Sequence, residues 1–268
     1  MKIGIIGTGN MGFAIAKGLI ESGYRVSVCN RSTRNLEELK AMQADITESL
    51  EMLIEESDLI FLAVKPKDIL SLIGEVKPFL EYKTVISIAA GITLETLREA
   101  ASDKVKFVRV MPNTPALISK GVFGVVSDGL DEKTKDMVFN LLSAIGEPYF
   151  ITEADMHAFI AIAGSSPAYI YMFMEALSDA GVKLGMKRSD TYDIIADTLI
   201  GAGLLYKKTK EHPGILKDMV TSPKGTTIEA VRTLETMGFR SAVIEGALAS
   251  GEKSKEMEDA AKAAMKQV

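Results

Sequence analysis

Read as a pattern of apolar and polar positions, the chain changes character near residue 152. Before that point, short apolar runs alternate with amphipathic stretches, the signature of strands joined by crossover helices in a parallel sheet. Strands are predicted at residues 2–6, 25–29, 59–63, 85–88, 106–110, 122–126 and 148–151. Gly23, Gly91, Gly121 and Gly146 punctuate them. The strands are rich in Ile and Val with little alternation, which predicts burial on both faces. After Thr152 the period becomes helical, with breaks expected near residues 164–167, 184–187, 212–214, 222–225 and at Gly238. The fold class predicted is α/β: an N-terminal Rossmann domain with a doubly wound, mostly parallel sheet (1–152), then an all-α oligomerisation domain (153–268).

Two helical stretches are apolar nearly all round. One runs over residues 167–181 with Ile170, Met172, Phe173, Met174 and Leu177. The other covers 191–206 with Ile194, Ile195, Leu199, Ile200, Leu204 and Leu205. Such helices must be buried on most sides. A compact bundle core is one way to bury them. A small helical domain has little interior for two, so burial between subunits of a homo-oligomer is the sharper expectation.

Composition narrows the class. Hydrophobic residues make up 47% and charged residues 25%, with a net charge of −5 spread without blocks. No basic stripe for nucleic acid is visible. No apolar run approaches the roughly 20 residues that cross a bilayer. A strand pattern that starts at Lys2 predicts no signal peptide. The single Cys29 excludes an intrachain disulfide and fits a reducing cytoplasm. One Cys and two His, His157 and His212, make a structural zinc site a poor expectation, so no metal is predicted.

The first strand runs directly into Gly7-Thr8-Gly9-Asn10-Met11-Gly12, and a helical pattern follows. That context makes G-x-G-x-x-G a dinucleotide fingerprint. Gly7 permits the tight turn, Gly9 the approach of the pyrophosphate, and Gly12 close helix–strand packing. The helix N-terminus offers N–H groups and a positive dipole end to phosphates. The second strand ends in Asn30-Arg31-Ser32-Thr33-Arg34, where an NAD-preferring enzyme usually places a carboxylate. Asn30, Arg31, Ser32 and Arg34 instead suit a ribose 2′-phosphate. The cofactor expected is therefore NADPH, with NADH as second choice; the alternative is that both arginines simply solvate a helix start. Ala63-Val64-Lys65-Pro66 and Ala89-Ala90-Gly91 also lie at carboxyl ends of strands. Ala63, Val64, Lys65, Pro66, Ala90 and Gly91 are expected to let the ribose and nicotinamide lie against backbone, though Lys65 reads equally as a surface lysine.

These motifs, followed in order by Val110-Met111-Pro112-Asn113-Thr114-Pro115, Ala163-Gly164-Ser165-Ser166-Pro167-Ala168-Tyr169 and Ser222-Pro223-Lys224-Gly225-Thr226-Thr227, resemble the pyrroline-5-carboxylate reductase family over almost the whole chain. The last motif is the most specific and continues through Glu235, Gly238-Phe239-Arg240 and Ala247. The resemblance implies NAD(P)H-dependent reduction of the C=N bond of 1-pyrroline-5-carboxylate to L-proline, the last step of proline biosynthesis. It also implies a Rossmann domain and a helical domain that interlocks into homodimers, often assembled into a decamer.

Because residues 222–227 precede a helical stretch, backbone N–H groups of Gly225, Thr226 and Thr227 suit a substrate carboxylate. By resemblance, Ser222 helps bind that carboxylate and Thr227 is the catalytic hydroxyl nearest the imine nitrogen. The family's loop usually reads Ser-Pro-Gly-Gly-Thr-Thr, and Lys224 replaces its first glycine. If that position needs positive φ, the lysine costs on the order of 1 kcal/mol; otherwise it adds positive charge near an anionic substrate. An Asn that family members often carry for the adenosine ribose has no counterpart assignable among Thr47, Glu48 and Ser49. His212, before Pro213, reads as a turn residue, and His157 as a packed or surface one. The active site is expected where the domains meet, the loop coming from the partner subunit if the helical domains interlock.

Two other readings of the sequence fit less well. A β-hydroxyacid dehydrogenase needs a catalytic Lys on the helix opening the second domain, and residues 164–180 contain none. A non-catalytic NADP-binding protein has no use for a substrate loop such as 222–227.

Overall fold

The computed structural model describes residues 1–33 and 35–265. Among the described residues, eight strands form one sheet: β1 (Lys2–Ile6), β2 (Arg25–Cys29), β3 (Asp45–Ile46), β4 (Leu59–Leu62), β5 (Thr84–Ser87), β6 (Lys106–Met111), β7 (Gly121–Val126) and β8 (Gly146–Phe150). Their order is 3-2-1-4-5-6-7-8. Neighbours from β3 to β6 are parallel, β7 runs antiparallel to β6, and β8 is parallel to β7. The first six strands have the doubly wound order, and the chain reverses direction across the sheet between β1 and β4, where ligands bind at the carboxyl ends.

The predicted strands lie where the apolar runs place them, within one or two residues at each end. β3 was not foreseen. It has two residues, both exposed, and leaves too little apolar signal to read.

Both faces of the sheet are covered, as the Ile/Val-rich runs require. On one face Ile3, Ile5, Val26, Val28, Phe61, Ile86 and Val108 pack against α1 (Asn10–Glu21) and α6 (Glu132–Ser143) through Ile15, Leu19, Val138 and Leu141. On the other, Ile60, Leu62, Val85 and Phe107 meet α3 (Leu50–Glu56), α4 (Pro66–Val76) and α5 (Leu94–Ala100) through Ile54, Ile69, Leu72, Ile73 and Leu97; α2 (Leu36–Ala41) follows β2. Local signals start these helices. The Oγ of Ser49, the Oγ1 of Thr93 and the carboxylate of Asp131 accept from Met52, Thr96 and Thr134 N–H groups, and Pro66 opens α4.

After β8, the short α7 (Met156–Phe159) passes through a π-turn at Ile160–Gly164 into α8 (Ser166–Lys183). The expected break at 164–167 is a single residue, Ser165, between the π-turn and α8. Ser165 N–H donates to the Ile160 carbonyl at 2.8 Å, and Pro167 sits in the first turn of α8, where no N–H is needed. The other four breaks separate α8, α9 (Arg188–Thr209), α10 (Pro213–Met219), α11 (Thr226–Thr236) and α12 (Phe239–Met265).

The chain divides into two compact units: Met1–Ser165 with the segment from Ala249 onward, and Ser166–Leu248. The end of the sheet falls at Phe150, beside the boundary read from the sequence, but compactness cuts elsewhere. Met156, Ile160 and Ala261 pack into the core of the sheet, which binds residues 153–165 and the end of α12 to the first unit. In the second unit only Pro167, Ser178, Thr191 and Ile195 are buried among the described residues. No helix among the described residues is long and apolar enough to cross a membrane.

Candidate functional site

The turn from β1 into α1 is built by the absence of side chains. Gly7 has φ +101°, and a Cβ there would lie 2.7 Å from the Ala63 carbonyl oxygen. A Cβ on Gly12 would lie 2.1 Å from the Gly7 oxygen and 2.9 Å from the Ala63 Cβ. These two glycines therefore press the start of α1 onto the ends of β1 and β4. Gly9, the N-cap of α1, is the opposite case: a Cβ there would meet nothing within 4 Å. The space above Gly9 is open, no side chain caps the helix, and its first turn holds no acidic residue. An anionic group is drawn to such an end by the helix dipole. The donor set and the open approach fit a dinucleotide pyrophosphate.

The end of β2 is tied to this loop. Asn30 Oδ1 accepts from Thr8 N–H at 3.3 Å, and Asn30 Nδ2 donates to the Ser32 carbonyl and hydroxyl at 2.9 and 3.1 Å. Asn30 thus shapes the loop, while Arg31 and Ser32 remain exposed beside it. Arg34 lies outside the described residues. Asn35, which the sequence reading passed over, has φ +63° and donates from Nδ2 to the Thr8 carbonyl at 2.8 Å. An Asn directly before a helical pattern is a legible sign of such a left-handed cap. Asn10 and Met11 open α1. Cys29, at the end of β2, is buried, which pushes its thiol up and leaves it a packing residue.

At the neighbouring strand ends, Ala63 and Val64 are half-buried, and Lys65 is an exposed N-cap of α4 ahead of Pro66. Ala90 is half-buried and Gly91 has φ +75°. The side of Gly91 that lacks a Cβ faces α12: a Cβ there would lie 3.3 Å from the Met257 carbonyl.

The second set of candidate residues opens α11. Gly225 is the N-cap, and its N–H donates to the Ser222 carbonyl at 3.1 Å. That N–H is consumed in the turn, which corrects the expectation that it faces a ligand. The N–H groups of Thr226, Thr227 and Ile228 begin the helix without intrahelical acceptors. A Cβ on Gly225 would lie 2.2 Å from Ser222 Oγ, so only glycine leaves that hydroxyl over the helix start. Thr227 is half-buried, while Ser222 and Thr226 are exposed. Lys224 has φ +57°, so its position does require the left-handed region.

Comparison with known proteins adds to this geometry. A family model described as pyrroline-5-carboxylate reductase dimerisation matches residues 153–257, and one described as NADP oxidoreductase coenzyme F420-dependent matches residues 2–91. The pyrroline-5-carboxylate reductase of Escherichia coli is 43% identical over 264 residues, covering 96% of this chain and 98% of that protein. The chain belongs to the pyrroline-5-carboxylate reductase family. The Methanosarcina acetivorans member is 37% identical over 96% of this chain and 97% of its own length. The crystal structure of the Plasmodium falciparum pyrroline carboxylate reductase with NADP bound superposes with a TM-score of 0.88 at 33% identity, covering 96% of this chain and 98% of that one.

The remaining family motifs have structural work in this fold. Asn113 is buried, accepts from Val122 N–H at 2.8 Å and donates to the Ala163 carbonyl at 3.0 Å. It thereby ties the β6–β7 connection to the π-turn. His212 caps α10, its Nδ1 accepting from Gly214 N–H at 3.0 Å, as its reading as a turn residue expected. His157 packs against Ser254 with Nδ1···Oγ 2.9 Å. The sequence reading missed Arg109, which is 1% exposed in β6 and paired with Glu153 and Glu258. A lone charge inside a buried strand was its visible signal.

Proposed function

We infer that the protein reduces the C=N bond of 1-pyrroline-5-carboxylate to give L-proline, with a nicotinamide cofactor held by the Rossmann unit. One observation carries the reading beyond the family: Ser222 Oγ stands over the start of α11, where Gly225 has no side chain to displace it. A hydroxyl and three helix-terminal N–H groups converge there, as a small carboxylate requires. The bound cofactor supplies the hydride. Ser222 and the N–H groups of Thr226 and Thr227 hold the carboxylate and so fix the ring. Thr227 Oγ1 holds the nitrogen by a hydrogen bond that strengthens as the amine forms. A threonine hydroxyl is too weak an acid to supply the proton itself, so the iminium form or a water brings it. Orientation of this kind is the main service a protein renders to a hydride transfer.

The cofactor proposed is NADPH in preference to NADH, because the Asn30–Ser32 turn presents Arg31 and no carboxylate to the adenosine ribose. Phosphates lie over Gly7, Thr8, Gly9, Asn10, Met11 and Gly12, and Ala63, Val64, Lys65, Pro66, Ala90 and Gly91 line the way to the nicotinamide. The working assembly is a homodimer through the helical unit, able to build into the decamer that the family resemblance implies. The lone buried Cys29 suits a cytoplasmic location.

The test is turnover of 1-pyrroline-5-carboxylate by the full chain with NADPH. Thr227→Ala should fold and bind NADPH as the parent does, since Gly225, not Thr227, is the N-cap of α11 and no side chain caps that helix. Its kcat/KM should fall by roughly ten- to a thousandfold, with Thr227→Ser keeping much of the activity. Parental turnover in Thr227→Ala would leave the loop acting through its N–H groups alone.

A further inference from the structure

The loop of residues 88–93, which leaves β5 and enters α5, starts beside one residue in the sheet and is held at its middle and its end by that residue's side-chain partners. At its start, Ser87 is aligned with Arg109 of β6. At its end, the N–H of Leu94, the first residue of α5, donates to Glu153 Oε2 at 3.4 Å, and the other oxygen of Glu153 pairs with Arg109 Nη1. In its middle, Gly91 lies against the backbone of Met257 and Glu258, and Glu258 Oε2 accepts from the same Nη1 at 3.3 Å. Glu258 is fastened further by Lys262 Nζ at 3.0 Å and faces His157 Nε2 at 3.7 Å.

We propose that the buried Arg109 and Glu258, with the partly exposed Glu153, form a charged hub whose function is to position the 88–93 loop against the nicotinamide end of the cofactor. The proposal rests on the nicotinamide reading of Ala90 and Gly91 given above. These are positioning residues: they touch the loop and the helix behind it, not the reacting atoms. The physical logic is that a buried ion cluster contributes little net stability over apolar packing, yet breaking one member leaves an uncompensated charge. Such a cluster specifies a geometry more than it adds strength. Gly91 completes the device, because any side chain there is strained by φ +75° and pushes on the α12 backbone.

The hub predicts a split between binding and chemistry. In the full chain, Glu258→Gln should bind NADPH, followed by the cofactor's own fluorescence, within about twofold of the parent, since the phosphate and adenosine ends are untouched. Its kcat should fall about tenfold or more, with a larger primary isotope effect from NADPH deuterated at the transferred position, because misplacement of the reacting carbon slows the hydride step. Gly91→Ala leaves the charges intact and should likewise lower kcat and raise the isotope effect. Amide hydrogen exchange over residues 88–93 with NADP⁺ bound should be faster in Glu258→Gln. Parental kcat and isotope effect in both variants would overturn the proposal. So would NADPH affinity that falls in step with kcat, which marks general loosening. If the parent fails to reduce 1-pyrroline-5-carboxylate, the functional reading fails, and the exchange experiment still decides the hub: unchanged protection of 88–93 rejects it.

Discussion

At the scale of single residues, Arg31 carries the proposal for cofactor choice and Lys224 carries a backbone strain in the loop before α11. Arg31 is exposed beside a turn that Asn30 shapes by donating to the Ser32 carbonyl and hydroxyl, and its proposed contact with a 2′-phosphate rests on that placement. Arg31→Ala should weaken NADPH by about 1–3 kcal/mol, the scale of a charge-assisted hydrogen bond, and leave NADH nearly unchanged. Titrating both cofactors measures this; equal losses would remove Arg31 from phosphate recognition. Lys224 presents the cost. Its φ of +57° puts a Cβ-bearing residue in the left-handed region, and its side chain is exposed. Lys224→Gly should raise stability by about 0.5–1 kcal/mol, the strain relieved less the extra unfolded-state freedom of glycine. Denaturant unfolding reads the sign, and a loss of stability would show that the lysine side chain contributes a contact that outweighs the strain.

At the scale of elements, the helical unit is made of helices with the wrong faces for a monomer. On α9, Ile194, Ile200, Leu204 and Leu205 are all half exposed or close to it, and on α8 Met172 is 67% exposed. Besides Ile195, what α8 and α9 bury along their lengths is hydroxylic: Ser178 Oγ meets Thr191 Oγ1 at 2.6 Å, and Arg188 Nη1 donates to Ser178 Oγ at 3.1 Å. A hairpin whose buried contact is hydroxylic and whose apolar side chains point outward gains its stability from another surface. The family's dimerisation model over residues 153–257 says what kind. Ile200→Asp combined with Leu204→Asp, 60% and 61% exposed one helical turn apart, should convert the oligomer to monomer with the Rossmann unit still folded. Sedimentation at assay concentration checks this; an unchanged oligomer would move the interface off this face of α9.

For the molecule as a whole, acid is the informative stress. Asp131 is held well below the usual carboxylate range by hydrogen bonds from Lys106 and the Thr134 N–H. Glu258 is also held low: burial pushes its acid up, but Lys262 and Arg109 outweigh that. A carboxylate with a depressed folded-state pKa adds stability that is present above its unfolded-state value and is lost as pH falls toward the folded one. Melting temperature should therefore drop between about pH 5 and pH 3, and Glu258→Gln should drop less steeply, since it has one such group fewer. Parallel slopes would show that Glu258 is not part of the acid response.

Much of this was legible beforehand because the signals are local. Strand positions follow from apolar runs, the dinucleotide turn from glycine spacing between a strand and a helix, and the outward apolar faces of α8 and α9 from a period with too narrow a polar side. These depend on neighbours within a few residues, where steric and hydrogen-bonding rules act directly. Three features were decided only by tertiary structure. β3 is too short and exposed to leave a pattern, and it exists because β2 offers it an edge. The boundary between compact units falls at Ser165 and Ala249 because the end of α12 returns to the sheet and packs Ala261 into its core. Arg109, Glu153 and Glu258 are not neighbours in the sequence pattern, and only the fold brings the two carboxylates onto a guanidinium that is itself shut off from water.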